Sequence, residues 1–250
     1  MIAALETEGL CKNFDAFEVT RSVNFRLPHG ARHALIGPNG AGKTTLINLI
    51  TGLLVPTQGA VRLNGADVTN LTTEQRVWRG LSRTFQINTL FPGFTPLEAV
   101  TLAVCQRQGI GANARRRLAR CRPEIDEAFE LLQRLRLVDE ADRPARAMAY
   151  GRQRLLEIAL ALAARPKVLL LDEPAAGVPA QESAELYAAI GALPSDIAVL
   201  FIEHDMDLVF RFAERITVLV SGQILCEGTP AEIASHPEVR SVYLGEAGHV

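Results

Sequence analysis

Short runs of alternating apolar and polar side chains fill the first thirty residues and end at the turn Leu27-Pro28-His29-Gly30. This period of two predicts strands of a mixed or antiparallel sheet. Arg32 to Ile36 then reads as a buried strand feeding a glycine-rich loop. From Lys43 to Leu53 the period changes, with Leu46, Ile47, Leu49, Ile50 and Leu53 recurring at helical spacing. Pro56, Gly59 and Gly65 mark turns around a strand from Ala60 to Leu63. From about Pro96 to Leu162 the pattern is helical, broken at Gly109 and Gly111. Within it Ile125, Ala128, Phe129, Leu131, Leu132 and Leu135 form one apolar stripe. Val168 to Leu171 and Ala198 to Ile202 are continuous apolar runs of strand length. Ile216 to Val220 and Gln223 to Cys226, joined by Ser221-Gly222, predict a hairpin. Thr229-Pro230-Ala231-Glu232 predicts a helix start: threonine caps, proline suits the first helical position and glutamate completes a capping box.

Buried strands separated by helices predict an α/β fold with a parallel-sheet core. An antiparallel, strand-rich piece precedes that core, and a helical piece is inserted in its middle. The chain's 250 residues suit one large domain or two closely joined subdomains with an ample buried core. A net charge of −2 gives no global basic field, which argues against nucleic acid as the main partner. No apolar run reaches the ~18 residues of a membrane span. The first six residues have no basic region and meet an acid at Glu6, unlike a signal peptide. Cys11, Cys105, Cys121 and Cys226 are far apart and form no CxxC pair, so they read as reduced thiols and not as a zinc site. Arg115, Arg116, Arg117, Arg120 and Arg122 form a basic run. It reads as a solvated helix face or loop, with lipid headgroups or a partner subunit as the other reading.

Candidate chemistry begins at Gly37-Pro38-Asn39-Gly40-Ala41-Gly42-Lys43-Thr44, which matches GxxxxGK[ST] between a predicted strand and a predicted helix. The glycines let the backbone curl so that several N–H groups point at one phosphate, and the helix start adds partial positive charge. Lys43 is placed to reach the β- and γ-phosphates, and the Thr44 hydroxyl to bind Mg²⁺, with Thr45 beside it in the phosphate-binding set. This motif implies a nucleoside triphosphate without saying what it is used for.

The other strand ends carry acids and a histidine. Val168 to Leu171 runs into Asp172-Glu173-Pro174, and ligands of open α/β sheets gather at the carboxyl ends of strands. Asp172 is placed to hold Mg²⁺ through water, and Glu173 to polarise an attacking water. Alternation along a strand does not aim both acids at one point, so the chain must already be turning there. Ala198 to Ile202 repeats the design and ends in Glu203-His204-Asp205. His204 is placed to donate to the γ-phosphate or to hold the water against Glu173. Gln86, after Arg83-Thr84-Phe85, is placed to reach the Mg²⁺ shell and sense the γ-phosphate.

Together these residues resemble the ATP-binding cassette family over about residues 4 to 245. The phosphate loop is similar to its Walker A motif, 168–173 to Walker B, Gln86 to the Q-loop and His204 to the switch histidine. The resemblance puts Phe14, or alternatively Phe17, where the family stacks an aromatic on adenine. It implies a single cassette with about 1–95 and 165–250 as P-loop core and β subdomain, and 96–164 as helical subdomain. Met148-Ala149-Tyr150-Gly151-Arg152-Gln153 stands where the family has LSGGQ, keeping only Gly151 of the core motif. The continuation 151–159, with 83–86, 172–177, 202–206 and Tyr243-Leu244-Gly245-Glu246, is similar to the ATP-binding subunits of branched-chain amino acid importers. Subunits serving urea or amides and the lipopolysaccharide-export ATPase are also similar.

The resemblance implies ATP hydrolysis with Mg²⁺, Glu173 as general base, and Lys43, Gln86 and His204 around the phosphates. It implies transmembrane permease subunits as partners and, indirectly, a periplasmic or extracellular solute-binding protein. It also implies a second ATP-binding subunit, a heterodimer being favoured over a homodimer, and a peripheral place at the cytoplasmic face of the cell membrane. In family dimers the signature of one subunit meets the ATP of the other. Ala149 lacks the hydroxyl that donates to the γ-phosphate, a hydrogen bond worth about 1.5–3 kcal/mol; Gly151 still offers its N–H. Pro179 stands where an Asp or Asn usually couples the two sites. These departures keep a weakly hydrolysing regulatory subunit as a second reading. A soluble cassette ATPase of DNA repair or translation is a third, but the chain has neither a long coiled-coil insertion nor a second cassette.

Overall fold

A computed structural model of the protein describes residues 2–84, 90–110 and 122–246. In chain order its elements are β1 (Leu5–Phe14), β2 (Phe17–Leu27), β3 (Arg32–Ile36), α1 (Lys43–Thr51), β4 (Gln58–Leu63), β5 (Ala66–Asp67), α2 (Thr73–Trp78) and β6 (Leu81–Arg83). They continue as α3 (Pro96–Arg107), α4 (Arg122–Arg134), α5 (Tyr150–Ala163), β7 (Val168–Asp172), α6 (Ala180–Gly191), β8 (Ala198–Ile202), α7 (Met206–Phe212), β9 (Arg215–Val220), β10 (Gln223–Gly228), α8 (Pro230–Ser235) and α9 (Pro237–Glu246). The described residues form two compact units. The first draws on Met1–Leu81, Lys167–Glu173 and Pro194–Val250, the second on Ser82–Pro166 and Pro174–Leu193.

In the first unit an antiparallel sheet has the order β2-β1-β4-β5. The larger sheet runs β10-β9-β3-β8-β7, with the short β6 at its end. The pairs β3–β8, β3–β9 and β7–β8 are parallel, and β9–β10 is an antiparallel hairpin. Every residue of β3, β7 and β8 is buried, which explains the continuous apolar stretches at 34–36, 168–171 and 198–202: a parallel strand covered on both faces has no solvent side to alternate with. Leu35, Leu46, Ile50, Val61, Leu170, Leu200 and Leu219 belong to one core cluster fed by both sheets and α1. The β9–β10 turn has Ser221 at φ 48° and Gly222 at φ 80°, the paired left-handed conformation that tight hairpins favour. α8 opens with Thr229 and Glu232 in a reciprocal capping box behind Pro230, as its sequence predicts.

α2 was hidden in the sequence because its buried residue is a charge. Arg76, 1% exposed, donates to the carbonyls of Leu49 at 2.7 Å, Ile50 at 2.6 Å and Thr69 at 2.8 Å. It thereby satisfies the orphan carbonyls at the end of α1, where the helix dipole also favours a cation. Burial pulls its pKa below the usual arginine range.

The second unit is built from α3 to α6. α3 starts at a capping box between Thr95 and Glu98 with Pro96 in the first turn. Of the stripe predicted on the following helix, Ala128, Leu132 and Leu135 are buried, but Phe129 is 42% exposed. The expected edges at about 95 and 165 also move. The backbone bonds from Ala145 N to Phe94 O and Arg146 N to Pro92 O tie the segment before α3 into the helical unit. α6 packs on α5, so 174–193 joins this unit and not the core.

Candidate active site

Gly37 follows β3 directly and has φ 156°; a Cβ there would run into the Leu219 carbonyl of β9. Gly42, at φ 99°, is the N-cap of α1, and a Cβ there would lie 2.9 Å from the Val19 carbonyl oxygen. Only glycine allows both the left-handed backbone and the close approach. The loop between them is pinned by Gly222 N donating to Ala41 O at 2.9 Å, and Gly222 is itself held by Arg21 N donating to its carbonyl at 2.8 Å. No side chain caps α1, and its first turn holds no acid. Its N-terminal amides and positive dipole end therefore suit an anion. Lys43 Nζ donates to the Gly37 carbonyl at 2.6 Å and the Pro38 carbonyl at 3.0 Å, so its ammonium lies folded over the loop. Thr44 is exposed and Thr45 half-buried on the first turn of α1. Asn39 and Gly40 are exposed at the loop tip, while Ala41 is buried.

The strand register brings the other groups to the same edge. Ile202 at the end of β8 pairs with Leu35 of β3 on one side and Asp172 of β7 on the other. Adjacent strands lie about 4.8 Å apart, so the loop start and the two acid-bearing ends emerge side by side. Asp172 is buried. Glu173 has φ 47°, and its N–H donates to Ile202 O at 3.0 Å. The chain thus turns sharply between the two acids, so that they need not point to opposite faces. Glu203 is 2% exposed, whereas the His204 side chain is 72% exposed with Nδ1 3.8 Å from Glu203 Oε2, beyond hydrogen-bond reach. Asp205 is not part of this group: it caps α7, accepting from Asp207 N and Leu208 N. These donors fit a triphosphate. Thr44 and Asp172 are oxygen donors of the kind a Mg²⁺ ion takes, while Gln86 lies outside the described residues.

Phe14 and Phe17 face each other across the tip of the β1–β2 hairpin. Phe14 is 45% exposed, with Lys12 Nζ 5.2 Å from its ring centroid; Phe17 is 69% exposed. In the helical unit, Tyr150 and Gly151 open α5 behind Ala149, whose side chain makes no capping bond. Of the basic run only Arg122 is described, at the start of α4. Sequence reading gave no role to His33, buried in β3 behind the loop with Nε2 2.8 Å from Thr217 Oγ1. A lone histidine inside an apolar strand offers no pattern that singles it out.

The comparisons with known proteins agree with this geometry. The family described as "ABC transporter" matches residues 20–176, more than half of the chain. The family described as "Branched-chain amino acid ATP-binding cassette transporter" matches residues 223–249. The chain is 38% identical to the high-affinity branched-chain amino acid transport ATP-binding protein BraF of Pseudomonas aeruginosa, over 97% of this chain and 98% of that one. It is 39% identical to the corresponding protein LivG of Escherichia coli, with the same coverage. A crystal structure of a nucleotide-free ATP-binding cassette from an ABC transporter superposes with a TM-score of 0.84 at 30% identity, over 97% of this chain and 99% of that one. A cassette in its ADP conformation superposes with a TM-score of 0.83, also at 30% identity, over 98% and 100% of the two chains.

Proposed function

The chain belongs to the ABC transporter family as an ATP-binding and ATP-hydrolysing subunit, and from that premise we propose that it powers import of branched-chain amino acids or a related small polar solute. The observation that carries the motor reading is the register of β3, β8 and β7. It sets the phosphate loop beside Asp172-Glu173 and Glu203-His204. The solute class rests on the match at residues 223–249 and on BraF and LivG.

Hydrolysis transfers the γ-phosphoryl group of ATP to water, and the protein supplies position and charge. The amides of 40–44 and the start of α1 receive the phosphates. Lys43 exchanges the carbonyls of Gly37 and Pro38 for phosphate oxygens. Glu173 accepts the proton of the attacking water, and His204, solvent-exposed before ATP arrives, turns toward the γ-phosphate. Thr44, Gln86 and Asp172 would hold Mg²⁺, which would supply positive charge to neutralise the phosphates. Phe14 stacks on adenine.

ABC importer ATPases of this kind act with transmembrane permeases. Among the described residues no helix is long and apolar enough to cross a membrane. The finer arrangement we infer is a second ATP-binding subunit, a heterodimer being favoured, at the cytoplasmic face of the membrane, with a solute-binding protein acting through the permease. The test is Mg²⁺-dependent ATP hydrolysis by the wild type beside Glu173→Gln, with and without the sister subunit. Turnover lost by about 10²–10⁴ with ATP binding retained supports the assignment. Equal turnover by the two proteins overturns it. Vesicle uptake of leucine with the permease tests the solute.

A further inference from the structure

Two contacts inside the helical unit tie the first turn of α5 to the chain after β7. The Gly151 N–H donates to Glu182 Oε2 at 3.2 Å, and a Cβ on Gly151 would strike that same carboxylate. Tyr150 lies over Gly177, where an added Cβ would meet its ring at 3.4 Å. Tyr150 is held in turn by Arg154, which donates to its hydroxyl at 2.6 Å and pairs with Glu157 at 2.8 Å. α5 has no capping side chain of its own and no acid in its first turn. The anion that answers its N-terminal amides comes from Glu182, 31 residues away.

We propose that Glu182 is a positioning residue that holds the Gly151 amide until ATP arrives, and so sets how much ATP is needed to close the composite site. This rests on the reading above, in which Gly151 of one subunit meets the γ-phosphate of ATP held by the other. A carboxylate and a phosphate then compete for the same donor and the same positive helix end, and like charges oppose their sharing it. ATP must displace Glu182. Because Glu182 lies on α6, its release also frees the start of α6 from α5. That gives the segment around Pro179 a route to the signature helix which needs no Asp or Asn at 179.

The experiment measures KM and kcat for ATP in the full chain for wild type, Glu182→Gln and Glu182→Asp, with thermal melting as a check on folding. Glu182→Gln keeps an acceptor for the Gly151 amide but removes the charge. It is expected to lower KM by about five-fold or more, the lower end of coupling between two sites, with kcat little changed. In a Glu173→Gln background it is expected to lower the ATP concentration needed for dimerisation. Glu182→Asp keeps the charge and is expected to stay nearer the wild type. An unchanged or raised KM in a Glu182→Gln protein that melts like the wild type overturns the proposal. If Glu182→Gln does not fold, Glu182→Ser, which also removes the charge, takes its place, and an unchanged or raised KM in the folded Glu182→Ser likewise overturns the proposal. A wild type that neither hydrolyses ATP nor dimerises with it, alone or with the sister subunit, overturns the parent reading instead.

Discussion

The imidazole of His33 in β3 lies 2.8 Å from the hydroxyl of Thr217 in the neighbouring strand β9, both fully buried behind the phosphate loop. Thr217 Oγ1 donates to Glu227 Oε2 at 3.3 Å, so its hydroxyl accepts from His33, whose Nε2 therefore carries the proton. Nδ1 has no partner among the described residues. Burial lowers the pKa of His33 to about 4; Glu227 opposes this and Arg215 adds to it.

The unfolded chain binds this proton near pH 6.5 and the folded chain only near 4, so the unfolded state carries more protons between those values. Stability from neutral His33 is complete above about pH 6.5 and is lost as pH falls toward 4, by an amount on the order of 3 kcal/mol. Urea midpoints at pH 7.5 and 5 for wild type and His33→Gln check this. The pH difference should shrink in the variant, and an undiminished difference would assign it to other groups.

Arg76→Leu should destabilise the protein by about 3 kcal/mol or more, because it strands several buried carbonyls at once. Arg76→Lys should recover little, since an ammonium cannot reproduce the guanidinium fork that spans Leu49, Ile50 and Thr69. Chemical denaturation of both variants reads the difference.

Gly42→Ala should cost about 1–3 kcal/mol of stability from backbone strain alone. It should also abolish ATP binding, since the added methyl pushes the loop away from Val19 and tilts the amides of α1. Nucleotide titration on the folded variant checks this; normal affinity would mean that the loop does not need its present curvature.

Phe14→Ala should raise the KM for ATP about tenfold, the loss of one base–aromatic stack, with kcat preserved. Phe17→Ala should leave it unchanged. The reverse pattern would move the adenine platform three residues along the hairpin.

Much of this was legible because strand period, turn chemistry and the phosphate loop each leave a local mark. β7 and β8 show as apolar runs, and the Ser221-Gly222 turn and the Thr229 cap sit where their residue types require. What escaped notice depends on distant partners. Arg76 looks like a surface charge until α1 is placed above it. Phe129 fits the apolar period of α4 yet stays at the surface, since periodicity says which face is apolar and not how much of it is covered. α6 follows a core strand in sequence, but packing on α5 assigns it to the helical unit. Glu182 has no motif of its own, and its meaning comes from the amide it reaches.

The placement of β3 between β8 and β9 has a consequence for how the protein is made. The phosphate loop is translated within the first fifth of the chain, yet its flanking strands, the Leu219 carbonyl and the Gly222 anchor all come from beyond residue 197. Contacts so far apart in sequence form slowly and late. A nascent chain halted on the ribosome before the last hairpin emerges therefore carries the whole nucleotide motif without its frame. ATP binding is therefore expected only of chains that extend past the β9–β10 hairpin.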